Sequence, residues 1–377
     1  MASAVANELG GPGRAGVYPA GTVPDGFRPW RFRDRWGLLK DTPVVSDGIV
    51  YFSALQGACF AVDALTGECR WRFTAPSGMC HAPAVMGGLA FVTDFRQGLW
   101  ALDALSGQVR WHHRGYKHTM YALAHAGVVY TSDAGYPFKF IRGKGVLTAA
   151  DAATGEVLWS VPKHDYGNRT IALAGGRIFH NGGEGELSAY DARSGKLLWR
   201  DADGGKQDFG SANAPCVVDG VVYASSGGGV YAFDTQGRQL WGCRTGGRIV
   251  EAVAVQGDSV YVSVERLGVY ALDAANGEER WQLADADGGS ALAISGSTGW
   301  LAAGQNRRYL CAVDLATGRR LWQRDLGHRG RGSTPFLWNG IAFLAAGGDS
   351  VIAVEAERGL MPSRLRPAKR FRRRRGA

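Results

Sequence analysis

From residue 44 to residue 355 the chain is a succession of short apolar runs, rich in β-branched and aromatic side chains and punctuated by glycine. Val44–Val45 and Ile49–Phe52 flank the pair Asp47–Gly48, and the arrangement recurs around Gly87–Gly88, Gly175–Gly176, Asp219–Gly220 and Asn339–Gly340. Such pairs tolerate positive φ at both central positions of a two-residue turn, so each predicts a tight hairpin. No useful length of chain repeats its apolar positions at the helical period. The chain is expected to be all β.

Behind each hairpin comes an Ala-x-Asp triplet, present seven times and once more as Ala353-Val354-Glu355. Seven of the eight lead through a Thr, Ser, Asn or Gln and a Gly to a tryptophan: Trp71, Trp111, Trp159, Trp199, Trp241, Trp281 and Trp322. Their intervals of 40, 48, 40, 42, 40 and 41 residues match the period of a four-stranded propeller blade. Strands A and B form the hairpin, strand C ends in the triplet, and the glycine turn returns the chain as strand D. The Asp can accept backbone N–H bonds at the turn, and the tryptophan can wedge against the next blade beside the small Ala. These positions are read as structural.

The eighth repeat fails at Gly359-Leu360-Met361-Pro362, which has no tryptophan. Its outer strand has a candidate at the other end of the chain, where Pro29-Trp30-Arg31-Phe32 reads like Arg70-Trp71-Arg72-Phe73. The expected architecture is therefore an eight-bladed β-propeller of four-stranded antiparallel blades, with an N-terminal strand closing the last blade. Three regions follow: a loose N-terminal segment over 1–25, the propeller over 26–361 and a basic tail over 362–377.

The Ala-x-Asp-x-x-Thr-Gly-x-x-x-Trp repeat resembles that of the PQQ-like propellers, a superfamily holding quinoprotein alcohol dehydrogenases, the assembly scaffold BamB and sensor propellers. The resemblance spans most of the chain and implies a fold rather than an activity. The quinoprotein dehydrogenases of that superfamily are longer, are exported and generally carry a vicinal cysteine pair at the cofactor. Here Cys59, Cys69, Cys80, Cys216, Cys243 and Cys311 are never adjacent, and no Cys-x-x-Cys-His haem signature occurs. No cofactor is expected, PQQ included, and no metal. The thiols read as small apolar strand residues.

Met1–Gly16 has neither an apolar h-region nor a lipobox cysteine, so a cytoplasmic location is expected, which suits free thiols. No transmembrane segment is visible, and a monomer is expected. Only eight of 43 basic residues are lysine, the arginine excess of a GC-rich, actinobacterial type of genome. Eight of the basic residues lie between Pro362 and Ala377, so of a formal charge of +9 the propeller keeps about +1. Such a run reads as a disordered, solvated extension. Through it alone is contact with nucleic acid or anionic lipid expected.

Sites in repeat folds lie where the repeat departs from its own consensus. About six residues ahead of each hairpin turn, near the start of strand A, the eight blades carry Asp41, His81, Tyr121, Arg169, Asn213, Glu251, Ser290 and Ser333. All are polar and they differ from one another. They read either as a ring of ligand contacts around the central channel or as the wet rim of eight strands. An insertion in blade 3 containing Tyr136, with Arg96, Arg266 and Arg307 in other B-to-C loops, falls on the same face. A basic rim of this kind favours an anionic ligand.

His81 beside Asp41 suits a general base, and Glu251 across the ring an acid. That pairing fits proton-transfer chemistry of the isomerase, cyclase or lyase type without a cofactor. No nucleophile elbow, phosphate loop or zinc spacing is visible. Three functions stay open: a small-molecule binder that is conceivably an enzyme, a scaffold docking a protein partner, and, least favoured, a PQQ-dependent oxidoreductase.

Overall fold

The computed structural model describes residues 7, 9–33, 41–54, 56–76, 81–94, 98–114, 119–133, 145–163, 171–182, 186–201, 213–249, 251–286, 289–304, 309–326, 332–346, 348, 350–357 and 366–367. Among them there is no helix, hence none able to cross a membrane. There are eight sheets, seven of four strands and one of five. Each four-stranded sheet is a meander of consecutive strands, as in blade 1, where Val44–Ser46, Ile49–Ala54, Ala58–Asp63 and Cys69–Thr74 pair in order. The protein is an eight-bladed propeller.

Local chemistry sets each turn. Asp47 and Gly48 adopt φ of 49° and 71°, the doubly left-handed geometry that fits the twist of a two-residue hairpin. At the C-to-D turn, Oδ1 of Asp63 accepts the N–H groups of Leu65 and Thr66, each at 3.0 Å. Asp103 and Asp151 do the same in the next two blades. In blade 2, Oδ2 of Asp103 also accepts a bond from Arg110 on strand D at 2.7 Å. That contact and the Ser106 hydroxyl and N–H hold the Asp103 carboxyl down to about 2.

The tryptophans join one blade to the next. Trp71 Nε1 donates to the carbonyl of Ala104 at 2.8 Å, and Trp111, Trp159, Trp199, Trp241 and Trp281 repeat the bond to the residue just after the next repeat aspartate. The ring lies on the turn glycine of that blade: a Cβ added to Gly107 would meet Trp71 at 2.7 Å. Alanine before the aspartate and glycine after it are what make room.

Closure uses the same contact. Trp30–Arg33 pairs antiparallel with Ser350–Glu355, from Trp30 opposite Ala353 to Arg33 opposite Ser350. Trp30, 2% exposed, donates to Ala64 of blade 1 at 3.0 Å and lies on Gly67. Arg366–Pro367 adds a short parallel strand outside Trp30–Arg31.

Within the N-terminal segment of 1–25, residues 12–18 are seated against the inner strands. The N–H groups of Leu173, Val217, Val255 and Ile294 donate to the carbonyls of Pro12, Gly13, Ala15 and Gly16 at 2.8–3.0 Å. Each donor lies on strand A of a successive blade, from blade 4 to blade 7, next to its hairpin turn. Strand A is the inner edge of its sheet and would otherwise leave these amides unpaired. Leu9 packs with Ala214, Ala252 and Ala291 of three neighbouring blades, so an apolar side chain sits inside the channel. Tyr18 meets Phe336 edge-on with ring centroids 4.7 Å apart.

Candidate functional site

The hairpins and C-to-D turns lie on one face, here the lower, and strand A starts on the upper. Pairing across the A–B hairpins puts three of the polar positions at these starts in equivalent places. Asn213 N donates to Ser225 O, Ser333 N donates to Ala345 O, and Tyr121 stands opposite Ser132 after a bulge at Thr119–Tyr121. The bulge absorbs the one-residue shift of register in blade 3.

The ring does not act as one unit. In blades 1 to 3 it gathers: His81 Nδ1 is 3.2 Å from Asp41 Oδ2, the N–H of Ala82 donates to the same oxygen, and the His81 and Tyr121 rings lie 4.8 Å apart. In the tautomer whose Nδ1 proton points at the carboxylate, Nε2 is the acceptor nitrogen. His81 is 6% exposed and its Nε2 is buried without a partner among the described residues. The imidazole is thus enclosed and does not line an open funnel.

In blades 5 to 8 the ring residues stitch the fold. Asn213 donates to Ser225 Oγ at 3.1 Å and to the carbonyl of Glu251 at 2.9 Å, joining blades 5 and 6. Ser290 Oγ accepts the N–H of Ala302, and Ser333 Oγ accepts that of Ala345, each extending its A–B ladder by a side chain. The Glu251 side chain is exposed, and its carbonyl is what enters this network. Arg266 is exposed on the B-to-C turn of blade 6 with φ of 64°. Arg169, Tyr136, Arg96 and Arg307 lie outside the described residues.

A second group of polar residues lies beside the ring. Lys163, at the end of strand D of blade 3, is fully buried; its Nζ donates to Ser132 Oγ at 2.9 Å and lies 3.3 Å from His180 Nε2 of blade 4. Beside His180, Asn181 donates to the carbonyls of Asn213 and Ser225 at 3.0 and 3.1 Å. Asp94, Thr131, Ser132, Asp133 and Ser225, all buried, occupy the upper ends of strand B in blades 2, 3 and 5, as His180 and Asn181 do in blade 4. The corresponding residues of blades 7 and 8 are Leu301, Ala302 and Ala303, and Leu344, Ala345 and Ala346. The signal was present in the sequence, as strand B ending in polar residues in only part of the ring.

Within this wall Thr131 Oγ1, Asn181 Oδ1 and Asn213 Oδ1 are also buried without a partner among the described residues. Burying such an atom unpaired costs about 1–3 kcal/mol, so these four atoms set one arc of the ring apart from the other, where Ser290 and Ser333 are paired. Burial in their strands pushes the Cys59, Cys216 and Cys311 thiols up to about 12, and these three act as small apolar side chains. No group of His, Cys, Asp or Glu able to hold a metal occurs among the described residues.

The family described as outer membrane protein assembly factor BamB matches residues 19–136, 143–297 and 268–361, well over half of the chain. The chain belongs to this family of PQQ-like repeat propellers. No curated protein sequence matches it. Among solved structures, BamB from Moraxella catarrhalis superposes with a TM-score of 0.65 at 18% identity, over 86% of this chain and 97% of that one. A europium-containing methanol dehydrogenase gives 0.72 at 14%, over 90% and 89%. The computationally designed Ika8 protein gives 0.71 at 16%, over 85% and 98%. At these identities the likeness is one of fold, and PQQ-like propellers with unrelated roles share it.

Pyrroloquinoline quinone, the group whose name the family carries, is a planar tricarboxylate that needs axial space and cationic donors. Among the described ring positions are Asp41, His81, Tyr121, Asn213, Glu251, Ser290 and Ser333, and Leu9 packs with three alanines beside them.

Proposed function

We propose that this propeller binds a small polar organic molecule on its upper face, against the wall formed by blades 1 to 5. The observation that carries the reading is the set of buried, unpartnered polar atoms there: His81 Nε2, Thr131 Oγ1, Asn181 Oδ1 and Asn213 Oδ1. A concave site with a few convergent polar groups is the usual form of a small-molecule site. Lys163 and His180 favour an anionic group on the ligand, while the carboxylates of Asp41, Asp94 and Asp133 share the wall. The ligand that suits both carries an anionic group together with hydrogen-bond donors, rather than being a simple anion.

The Asp41–His81 pair supports a catalytic version of this reading. A neutral imidazole with its lone pair on Nε2 and a carboxylate behind Nδ1 can take a proton from a bound ligand, and the carboxylate stabilises the imidazolium that forms. Such a step is cofactor-independent proton transfer of the isomerase or lyase kind. The family description supports a different reading, in which the same face docks a protein.

Native mass spectrometry of the purified protein, with extraction and identification of released metabolites, separates the two. The expected result is a bound small molecule that is lost in His81→Gln and Asn213→Leu while circular dichroism shows both variants folded. Retention of the adduct by both variants, or no adduct and no thermal shift across a panel of hydroxy and amino acids, would remove the ligand reading.

A further inference from the structure

We infer that a second ligand site, for a small aromatic ammonium compound, lies on the lower face between blades 7 and 8. In every blade the third residue of strand B stands opposite the repeat alanine, and it is Tyr51, Phe91, Tyr130, Phe179, Tyr223, Tyr261, Trp300 and Phe343 in turn. Blade 7 alone places a tryptophan there. The Trp300 indole donates at 2.9 Å to the carbonyl of Ala356, the bond that the strand D tryptophan makes at the other seven junctions. Trp322 is displaced one residue along and donates to Glu357 at 3.0 Å, in an exposed setting.

The exchange leaves a cavity of about 450 Å³ walled by Trp300, Trp322, Leu321 and Leu337, with Pro19–Gly21 of the N-terminal segment along one side. That size suits a compact bicyclic ligand. Leu321 is 44% exposed, so apolar surface is presented to solvent at the mouth. In a protein of formal charge +9, the described residues lining this cavity include no lysine or arginine and one charged residue, Glu357. The partly exposed indole of Trp322, with the buried Trp300 behind it and a carboxylate beside it, forms a setting complementary to a cation attached to an aromatic ring, through ring stacking, cation–π attraction and charge.

Isothermal titration of the full-length protein with tryptamine, and with indole-3-propionate as the same ring of opposite charge, tests this. Tryptamine is expected to bind and indole-3-propionate to bind roughly twofold to fivefold more weakly, the scale of one exposed charge contact. Glu357→Gln should weaken tryptamine by a similar factor, and Trp322→Ala by about tenfold, the loss of a stacked ring and its cation–π contact. His81→Gln, on the opposite face, should leave tryptamine binding unchanged. Equal binding of the two ligands, indifference to Glu357→Gln, loss of binding in His81→Gln, or no binding of tryptamine would each overturn the assignment. Because Glu357 is exposed at the cavity mouth, its substitution does not depend on refolding the blade.

Discussion

Ala126 stands at the first turn position of the blade 3 hairpin, where the other seven hairpins have glycine, aspartate or asparagine, and it adopts φ of 48°. A left-handed residue bearing a Cβ costs about 1 kcal/mol or more, and glycine recovers most of that despite its larger unfolded-state entropy. Ala126→Gly should therefore stabilise the protein by roughly 0.5 kcal/mol, seen as a rise of about 1 °C in Tm for a chain of this size. An unchanged or lower Tm in calorimetry would show that the turn is not strained. At the C-to-D turns the relevant quantity is charge. Asp103 is held down to about 2, chiefly by Arg110 and then by the Ser106 hydroxyl and N–H. Its folded pKa lies below the unfolded value, so its contribution is fully present above about pH 4 and is lost as pH falls towards about 2. The contact is partly exposed, so Asp103→Asn should cost less than about 1 kcal/mol at neutral pH. Urea titrations at about pH 6 and about pH 2 should find the two proteins different at the first and alike at the second. A difference that persists in acid would mean the carboxylate works through packing rather than charge.

At the scale of the element, what could be read in advance was what side chains encode locally. The hairpins follow from pairs such as Asp47–Gly48, the blade period from the tryptophans, and the outer strand of blade 8 from the match of Trp30 to Trp71. The polar starts of strand A were also legible, because turn glycines count out equivalent positions. Their division of labour was not: Ser290 and Ser333 look like Asp41 and His81 in a register but complete ladders by accepting N–H bonds. Residues 12–18 escaped because their partners are main-chain amides of Leu173, Val217, Val255 and Ile294, and a backbone acceptor leaves no trace in composition. The seat of Lys163 against Ser132 and His180 was not legible, since it depends on two blades meeting. Trp300 was readable in principle, as the one indole in a column of tyrosines and phenylalanines.

For the whole molecule the decisive question is how a ring of repeats is held shut. Each blade buries its faces mainly against its neighbours, so stability sums over junctions and the ring is as secure as the junction made last. That junction joins blade 8 to blade 1 through Trp30 and Phe32, both buried, with Phe32 packed 5.3 Å from Phe52 and 5.2 Å from Phe60. The segment before it contributes differently, through main-chain bonds to strand A and the insertion of Leu9. Two truncations separate these contributions. Removing residues 1–25 keeps the clasp and should lower stability while leaving a single cooperative transition. Removing residues 1–36 takes away Trp30 as well, a loss of at least the 3–5 kcal/mol typical of deleting one large buried aromatic. It also uncovers the free edge of Ser350–Glu355. The second variant should unfold at markedly lower urea and associate through that edge, as sedimentation would report. A synthetic peptide of residues 26–36 should restore the transition in proportion to its concentration, because it binds only the folded ring. Equal stability of the two truncations would mean that closure rests on contacts among the blades themselves, and that the strand from the N terminus is an ornament on a ring already closed.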